Sequence, residues 1–432
     1  MEKSGSDERS NSSANAESSD PFEKASEAVE GLYTMRDTFF PKNPTDKKIR
    51  IHRDSNLALS IVDSILPEKR KQSSRRAVYE YLRGKVLDVS PDYRKEAEDH
   101  LSKAVKLDPS LADAWLCLGN CLWKKGDLSG AKNCFSLALK KGPNKKILRQ
   151  LSMLERRLAQ GTANEVDVVE ESIQHAKKAV MLDVKDGQSW YALGNAYLSS
   201  FFITGSWDQN KLFQSLKAYQ NAEKDELANN NPDLYYNSAM ANRYVENYER
   251  ALSGFEAASL RDPGLNAEQE VQKLVRLLTK LEESSINKGQ MKSKRHASLL
   301  SSLGNENIKL SLKPVPMQFL HEGLNRGLAV IGRVLYFIPH DNEVPLYYVV
   351  SDAEGSSFIL SIYGLRDGVI KESDTVTLLE PSYRDIHVCW KDKNHHFQAI
   401  RVDFMQQILV NGHSPSVQDS VRSTIHAQHI LP

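Results

Sequence analysis

Cysteine is scarce in this chain: four in 432 residues, at Cys117, Cys121, Cys134 and Cys389. Three of them share one short stretch, so no disulfide framework can hold the fold together. Cys117 and Cys121 stand one helical turn apart and invite a zinc reading. No histidine completes a ligand spacing, and small buried hydrophobes in a reducing compartment are the better reading. Long apolar runs are also missing, and the N-terminus lacks a signal-peptide core. The expectation is a soluble, intracellular protein with no membrane partner. Excess charge is missing too: 57 Lys+Arg against 56 Asp+Glu leave a net charge of +1, so any basic site must be local. The common catalytic signatures are absent. There is no G-x-S-x-G, no Walker loop, no H-E-x-x-H and no paired metal cysteines, and Gly327 with Gly332 makes no dinucleotide fingerprint. No catalytic residue, cofactor or metal is expected, and no enzymatic activity.

What the chain has in quantity is a repeat. From Ala114 it reads A-W-L-C-L-G-N-C-L-W-K-K-G-D-L-S-G-A-K-N-C-F-S-L-A-L-K-K-G-P. Small Gly119, Ala131 and Ala138 alternate with large Trp115, Leu118, Leu122 and Phe135. Two helices cross closely only where a small side chain meets a large one. Gly126-Asp127 ends one helix and starts the next, and Pro143 stops the second. This is the grammar of a tetratricopeptide (TPR) unit of about 34 residues. The same phase recurs at Gly84, Ala97, Leu101 and Ala104. It returns at Leu148, Leu151, Ser152, Ser172, Ala176 and Ala179, then at Trp190, Leu193, Gly194, Tyr197, Ser215, Tyr219 and Ala222. Tyr235, Ser238, Ala239, Ala251, Phe255 and Ala258 follow. An ordinary helical bundle would not share that phase.

The expected organisation follows. Residues 1–20 are a Ser-rich disordered tail, and 21–76 an N-terminal helical pair or degenerate repeat, with apolar helices at Phe22–Phe40 and Leu57–Leu66. Residues 77–265 are the repeat array, 266–287 a capping helix, and 288–307 a basic linker containing K-G-Q-M-K-S-K-R-H. From residue 308 to 432 the periodicity turns alternating. Strands are expected at Ile308–Leu312, Leu328–Ile338, Leu346–Asp352, Ser357–Tyr363, Thr375–Leu379, Gln398–Phe404 and Ile408–Val410, with a weak helix near Gly364–Lys371. The fold class is an α solenoid followed by a small all-β, OB-like barrel; a small β-sandwich is the alternative.

First helices of such hairpins line a groove. With Trp115, Leu148, Trp190 and Tyr235 taken as equivalent positions, the helical period turns Asp113, Leu116, Asn120, Trp123 and Lys124 inward, then Arg149, Gln150, Met153, Arg156 and Arg157. Tyr191, Asn195 and Leu198 follow, and Asp233, Tyr236, Asn237, Met240, Arg243 and Tyr244. Asparagines can hold a peptide amide, arginines can fork onto a carboxylate, and Asp233 can take a guanidinium or ammonium group. A short extended peptide of mixed charge is the expected ligand. The bland alternative is that Arg149, Arg156 and Arg157 merely solvate a helix and pair with nearby acids. The cationic stretch reads either as a phosphate-docking site or as a solvated linker. Barrel aromatics Tyr336, Tyr347, Tyr348, Phe358, Tyr363 and Trp390 read as core rather than base-stacking platforms. His395-His396 falls in an expected turn, a solvated loop before a metal pair.

Six longer strings are more specific: S-P-D-Y-R-K-E-A-E (90–98), L-S-K-A-V-K-L-D-P (101–109), W-K-K-G-D (123–127), Q-L-S-M-L-E-R-R-L (150–158), D-G-Q-S-W-Y-A-L-G-N-A-Y-L-S (186–199) and N-P-D-L (231–234). On these the chain resembles the tetratricopeptide repeat protein 5 family, over almost everything after the Ser-rich tail. The resemblance implies a non-enzymatic adaptor. Family members bind the Met-Arg-Glu-type N-terminus of nascent tubulin at the ribosome and mark tubulin messenger RNA for decay, which implies a decay adaptor and the deadenylase machinery as partners. They are also described as nuclear, stress-responsive cofactors of transcriptional acetyltransferase complexes, which would leave the barrel to meet nucleic acid. By alignment the family's peptide-reading arginine and aspartate fall on Arg156 and Asp233. Its ribosomal-RNA-binding lysines fall on Lys292 and Lys294. Its further acidic groove residue falls on Ala267, with Glu268 next to it. A cytoplasmic location, with nuclear presence as well, is the corresponding expectation.

Overall fold

The computed structural model describes residues 20–206, 208–287, 312–341 and 344–421, which hold thirteen α-helices followed by nine strands. The helices are α1 Pro21–Thr38, α2 Pro44–Asp63, α3 Ser73–Leu87, α4 Lys95–Leu107, α5 Ala112–Lys125, α6 Leu128–Leu139, α7 Lys145–Ala159, α8 Glu165–Leu182, α9 Gly187–Ile203, α10 Gln209–Ala222, α11 Pro232–Tyr244, α12 Tyr248–Arg261 and α13 Ala267–Asn287. The chain divides into two compact units, with the break between Gly142 and Pro143.

The first unit carries α1 to α6. Phe22, Val29 and Leu32 of α1 pack with Val62 of α2 and Leu82 and Val86 of α3. The second helix begins at Pro44, well before the apolar stretch expected at Leu57. Its first half is polar and buries nothing, so hydrophobic spacing could not disclose it; only Ala58 and Val62 are buried. In the α5–α6 hairpin a Cβ on Gly119 would stand 2.4 Å from the Phe135 ring, so only glycine permits that crossing. Gly126, at φ 90°, caps α5, and the Asp127 side chain caps α6 through the amide of Gly130. Cys117, Cys121 and Cys134 are free and buried. Burial pushes the first two thiols up to about 12 and the third to about 11, as befits apolar fillers.

The second unit carries α7 to α13 and the sheet. The strands are β1 Lys313–Pro314, β2 Gly323–Leu324, β3 Leu328–Ile338, β4 Leu346–Asp352, β5 Ser357–Ile362, β6 Thr375–Leu379, β7 Ser382–Trp390, β8 Lys393–Val402 and β9 Ile408–Val410. They form one curled sheet in the order β2-β7-β8-β5-β4-β3-β6-β9, with β1 alongside β3. Pairing is antiparallel except between β5 and β8 and between β1 and β3. Strand β4 is buried at every position because both of its faces are covered. Leu346, Tyr348 and Val350 point into the barrel with Phe358, Leu360 and Ile362. Tyr347 and Val349 point the other way, onto Phe255 of α12 and Leu274, Leu278 and Leu281 of α13. The terminal helix therefore does more than cap the repeats: it covers one face of the sheet. Each such side chain removed from water contributes about 1.5–3 kcal/mol.

A buried polar cluster also joins helices to barrel. Glu246, in the α11–α12 turn at φ 59°, accepts from Ser361 Oγ at 2.9 Å and from Tyr363 Oη at 3.1 Å. The Arg401 guanidinium lies 3.8 Å from the Tyr363 ring and donates to the carbonyl of Tyr244 at 2.5 Å.

Three expectations are corrected. No helix forms at Gly364–Lys371; Leu365 makes an isolated bridge to Ser420, and Gly368 turns the chain at φ 83°. Strand β7 was not expected, because Arg384 and Asp385 break its alternation and only Ile386 and Val388 are firmly buried. His395-His396 is not a turn: β8 starts at Lys393, and the two rings project to opposite faces, His395 buried and His396 exposed. Adjacent strand residues cannot chelate one ion together. The expected strand at Ile308 falls, but for Leu312, outside the described residues.

Candidate peptide-binding site

The candidate residues of the second unit come from α7, α9 and α11, the first helices of three consecutive hairpins, and each helix is fixed by its own cap. Asn144 accepts from the amides of Lys146 and Ile147, Asp186 from that of Ser189, and Asn231 from that of Asp233. Asp186 has a second role. Arg149 Nη1 reaches its Oδ2 at 2.5 Å and Lys145 Nζ its Oδ1 at 3.3 Å, so α7 is tied to the cap of α9. Burial opposes ionisation of Asp186, but Arg149, the Ser189 hydroxyl and Lys145 outweigh it and hold the carboxyl below its usual range. Arg149 thus sits in a structural ion pair, and Arg157 is exposed and donates to Gln160 Oε1 at 2.9 Å.

Arg156 differs from both. It is 6% exposed. Its hydrogen bonds all use Nη1: to the Ser152 carbonyl at 3.1 Å, Ser152 Oγ at 2.9 Å and Ser172 Oγ at 3.3 Å. Its Nε has no hydrogen-bond partner among the described residues. The neighbouring Glu155 turns away to His175, at 2.9 Å. Burial pulls the guanidinium down to about 10, against the opposing influence of Tyr219, Tyr191 and Glu155. At neutral pH it remains a cation, buried and without an ion pair among the described residues. Such a charge is costly unless something anionic completes it. The Nε–Nη2 edge left over is the fork that takes a carboxylate side-on.

A chain of polar groups surrounds this cation. Tyr219 Oη donates to Asn195 Oδ1 at 2.7 Å, and Asn237 Nδ2 donates to the same oxygen at 3.2 Å and to Tyr191 Oη at 3.1 Å. Burial, and then the charge of Asp233, push the Tyr191 phenol well above its ordinary value. Asp233 itself is buried, at the first turn of α11. Ser152 and Ser172 occupy the small positions of the α7–α8 hairpin, and Gly194 lets Tyr219 approach: a Cβ there would stand 2.5 Å from its ring. The repeat grammar that closes the hairpins therefore also seats the site.

The remaining candidates lie further along. Arg243 pairs with Glu270 of α13 at 2.7 Å and contacts Met240 Sδ at 3.3 Å. Tyr236 packs edge-on against Phe255, ring centroids 5.4 Å apart. Ala267 is fully buried, and the acid that pairs with Arg243 is Glu270. Sequence reading missed Glu270; its spacing from Arg243, across a turn, the whole of α12 and a 3-10 segment, carries no local signal. Asn120 belongs to the first unit, on α5, half-buried with Oδ1 lacking a hydrogen-bond partner among the described residues. Lys124, expected inward, is instead buried against Asp88 at 3.1 Å. Lys292 and Lys294 lie outside the described residues.

Paired helices in repeat phase, followed by a curled sheet, define a TPR protein with an OB-type domain. Residues 311–424 match the tetratricopeptide repeat protein 5 OB fold domain, and residues 112–145 match the tetratricopeptide repeat. The tetratricopeptide repeat protein 5 of Bos taurus is 35% identical over 424 residues, 94% of this chain and 96% of its own. That of Homo sapiens is 35% identical over 411 residues, 90% of this chain and 93% of its own. The chain belongs to the tetratricopeptide repeat protein 5 family. Among solved structures, YrrB, described as a TPR protein with an unusual peptide-binding site, covers 49% of this chain and 97% of its own at 20% identity, with a TM-score of 0.34. The family and its repeats mark a TPR adaptor that binds peptides or partner proteins.

Proposed function

We propose that this chain is a non-enzymatic adaptor that reads the N-terminal Met-Arg-Glu segment of nascent tubulin at the ribosome and thereby triggers decay of tubulin messenger RNA in the cytoplasm. The observation that carries this reading is the presence of opposite charges on the outer two of three consecutive first helices: a buried Arg156 on α7, lacking an ion pair among the described residues, and a buried Asp233 on α11, with Tyr191 of α9 feeling both. A glutamate carboxylate fits the Nε–Nη2 edge of Arg156, and the peptide's arginine or its amino terminus fits Asp233. Asn195 and Asn237 stand between them with amide groups suited to a peptide backbone. Arg149, Tyr191, Tyr236 and Arg243 are assigned to the same binding surface; Asn120, on α5 of the first unit, is assigned a peptide contact within that unit. Arg149 contributes by fixing α7 against α9, and Arg243 by holding Glu270.

In this reading Lys292 and Lys294 dock on ribosomal RNA phosphates. The captured complex then recruits a messenger-RNA-decay adaptor and the deadenylase machinery. The alternative, a nuclear stress-responsive scaffold for acetyltransferase complexes with a nucleic-acid-binding barrel, draws less support. Tyr347, Tyr348, Phe358 and Tyr363 are buried rather than displayed for base stacking. The test is binding of a Met-Arg-Glu tetrapeptide to the full chain, where Arg156→Ala or Asp233→Ala should each weaken affinity by roughly 1–3 kcal/mol, the range of a charge-assisted hydrogen bond. Equal binding by all three proteins would refute it. Lys292→Glu with Lys294→Glu should abolish co-sedimentation with translating ribosomes; unchanged sedimentation would remove the ribosomal part of the reading.

A further inference from the structure

The β7–β8 hairpin carries a group of metal-ligating side chains that the peptide reading does not use. Residues 385, 387 and 389 share one face of β7, and residues 394, 396 and 398 oppose them on β8. His387 and His396 are direct cross-strand partners, with rings stacked at 4.1 Å and an interplanar angle of 10°. Asp385 serves both: Oδ1 lies 2.8 Å from His396 Nε2, and Oδ2 lies 3.3 Å from His387 Nε2. One donor atom from each of the three falls within 4.8 Å of the others. All three side chains reach solvent, at 64%, 56% and 39% exposure for His387, His396 and Asp385, so an ion has an open path to them.

We propose that Asp385, His387 and His396 form a zinc-binding site on the outer face of the β7–β8 hairpin. Two imidazole nitrogens and one carboxylate oxygen are the donor set that suits a borderline ion of the zinc class, and a tetrahedral ion needs contraction of these atoms to about 2.0–2.2 Å from a common centre. To share an ion the stacked rings must rotate so that both Nε2 lone pairs meet, and the common Asp385 carboxylate already holds both nitrogens near one point. The ion takes the Nε2 lone pair of each imidazole, which requires both rings neutral with the proton on Nδ1. The fourth position falls to water, or to Cys389, exposed on the same face of β7.

The scaffold beneath is rigid on both strands. Glu282 of α13 accepts the His396 amide at 3.1 Å and meets His395 Nδ1 at 2.9 Å. Glu249 of α12 accepts the Cys389 amide at 2.7 Å. Pinned backbones on either side of the ligands lower the cost of ordering them. The sequence hinted at a neighbouring pair, His395-His396, but the strand puts those rings on opposite faces; the partner of His396 is His387 on the adjoining strand.

The experiment is a zinc titration of the chelator-stripped full chain, followed by calorimetry and by the imidazole proton resonances. One saturable Zn²⁺ ion should bind per chain and shift the resonances of His387 and His396 together. His387→Ala and His396→Ala should each weaken binding by about tenfold or more, at least the cost of losing an outer-shell partner at such sites. Asp385→Asn should do the same, and unchanged thermal melting of the variants separates ligand loss from misfolding. Absence of saturable binding overturns the proposal. So does wild-type affinity in His387→Ala with His396→Ala combined, which would move the ion to another site.

Discussion

Arg156 and Ser172 meet across the α7–α8 hairpin, guanidinium nitrogen to hydroxyl oxygen, at 3.3 Å. A repeat position that holds alanine in three of the other hairpins, at Ala97, Ala131 and Ala251, here holds a hydroxyl, and that hydroxyl steadies a buried cation. Ser152 Oγ lies 3.1 Å from Ser172 Oγ, so the two hydroxyls can satisfy one another if the cation is removed.

From that arrangement comes a separation of binding from stability. Arg156→Met should abolish peptide binding while leaving the free chain as stable as before, or more stable by about 1 kcal/mol, because replacing an uncompensated buried charge with an apolar side chain is often neutral or stabilising. Thermal melting with and without peptide checks this. A strongly destabilised Arg156→Met chain would mean that the guanidinium is a structural strut.

Gly194→Ala should act in the opposite sense. The added Cβ would fall 2.5 Å from the Tyr219 ring. The ring must move, and its bond to Asn195 moves with it. A loss of about 1–3 kcal/mol is expected, the usual cost of overpacking, read as a lower urea midpoint at an unchanged slope.

Acid should loosen the α7–α9 junction. The carboxyl of Asp186 is held below its usual range when folded, so its stabilisation is complete above its unfolded value of about 3.9 and is lost as pH falls through the folded value. In Asp186→Asn the decline in stability between about pH 5 and pH 3 should be shallower than in the parent chain. Parallel stability–pH curves would show that the ion pair with Arg149 contributes nothing.

Much of this was legible beforehand. The small–large grammar is local, so Gly119, Gly194, Ala131 and Ala138 disclosed the hairpins, and the helical phase brought Arg156, Tyr191, Asn195, Asp233 and Asn237 to one side. Ion-pair choice was not legible. Arg149 and Arg156 look equivalent in sequence, yet Asp186 caps the next helix within reach of only the first. Glu270 was hidden behind Glu268 and Ala267, because which acid faces Arg243 depends on where α13 starts. In the sheet, β7 escaped notice because its exposed face carries Asp385, His387 and Cys389, the first two of which belong to the proposed zinc site.

The joint between helices and barrel should depend on Glu246. Its carboxylate serves Ser361 and Tyr363, with Arg384 at 3.4 Å. Glu246→Ala strands those donors and should cost about 3 kcal/mol, as breaking a buried charged cluster does. Chemical denaturation gives the loss, and limited proteolysis should show the barrel released first. An unchanged denaturation midpoint would contradict a stabilising role for the cluster.

The most direct measurement is a double-mutant cycle by calorimetry between Arg156→Ala in the chain and Glu→Gln in a Met-Arg-Glu peptide. If Arg156 grips that carboxylate, the two changes together should cost less than their sum, with a coupling energy of about 1 kcal/mol or more. Strict additivity would mean that the buried guanidinium does not meet the peptide's acid, and the proposed reading of nascent tubulin would fall with it.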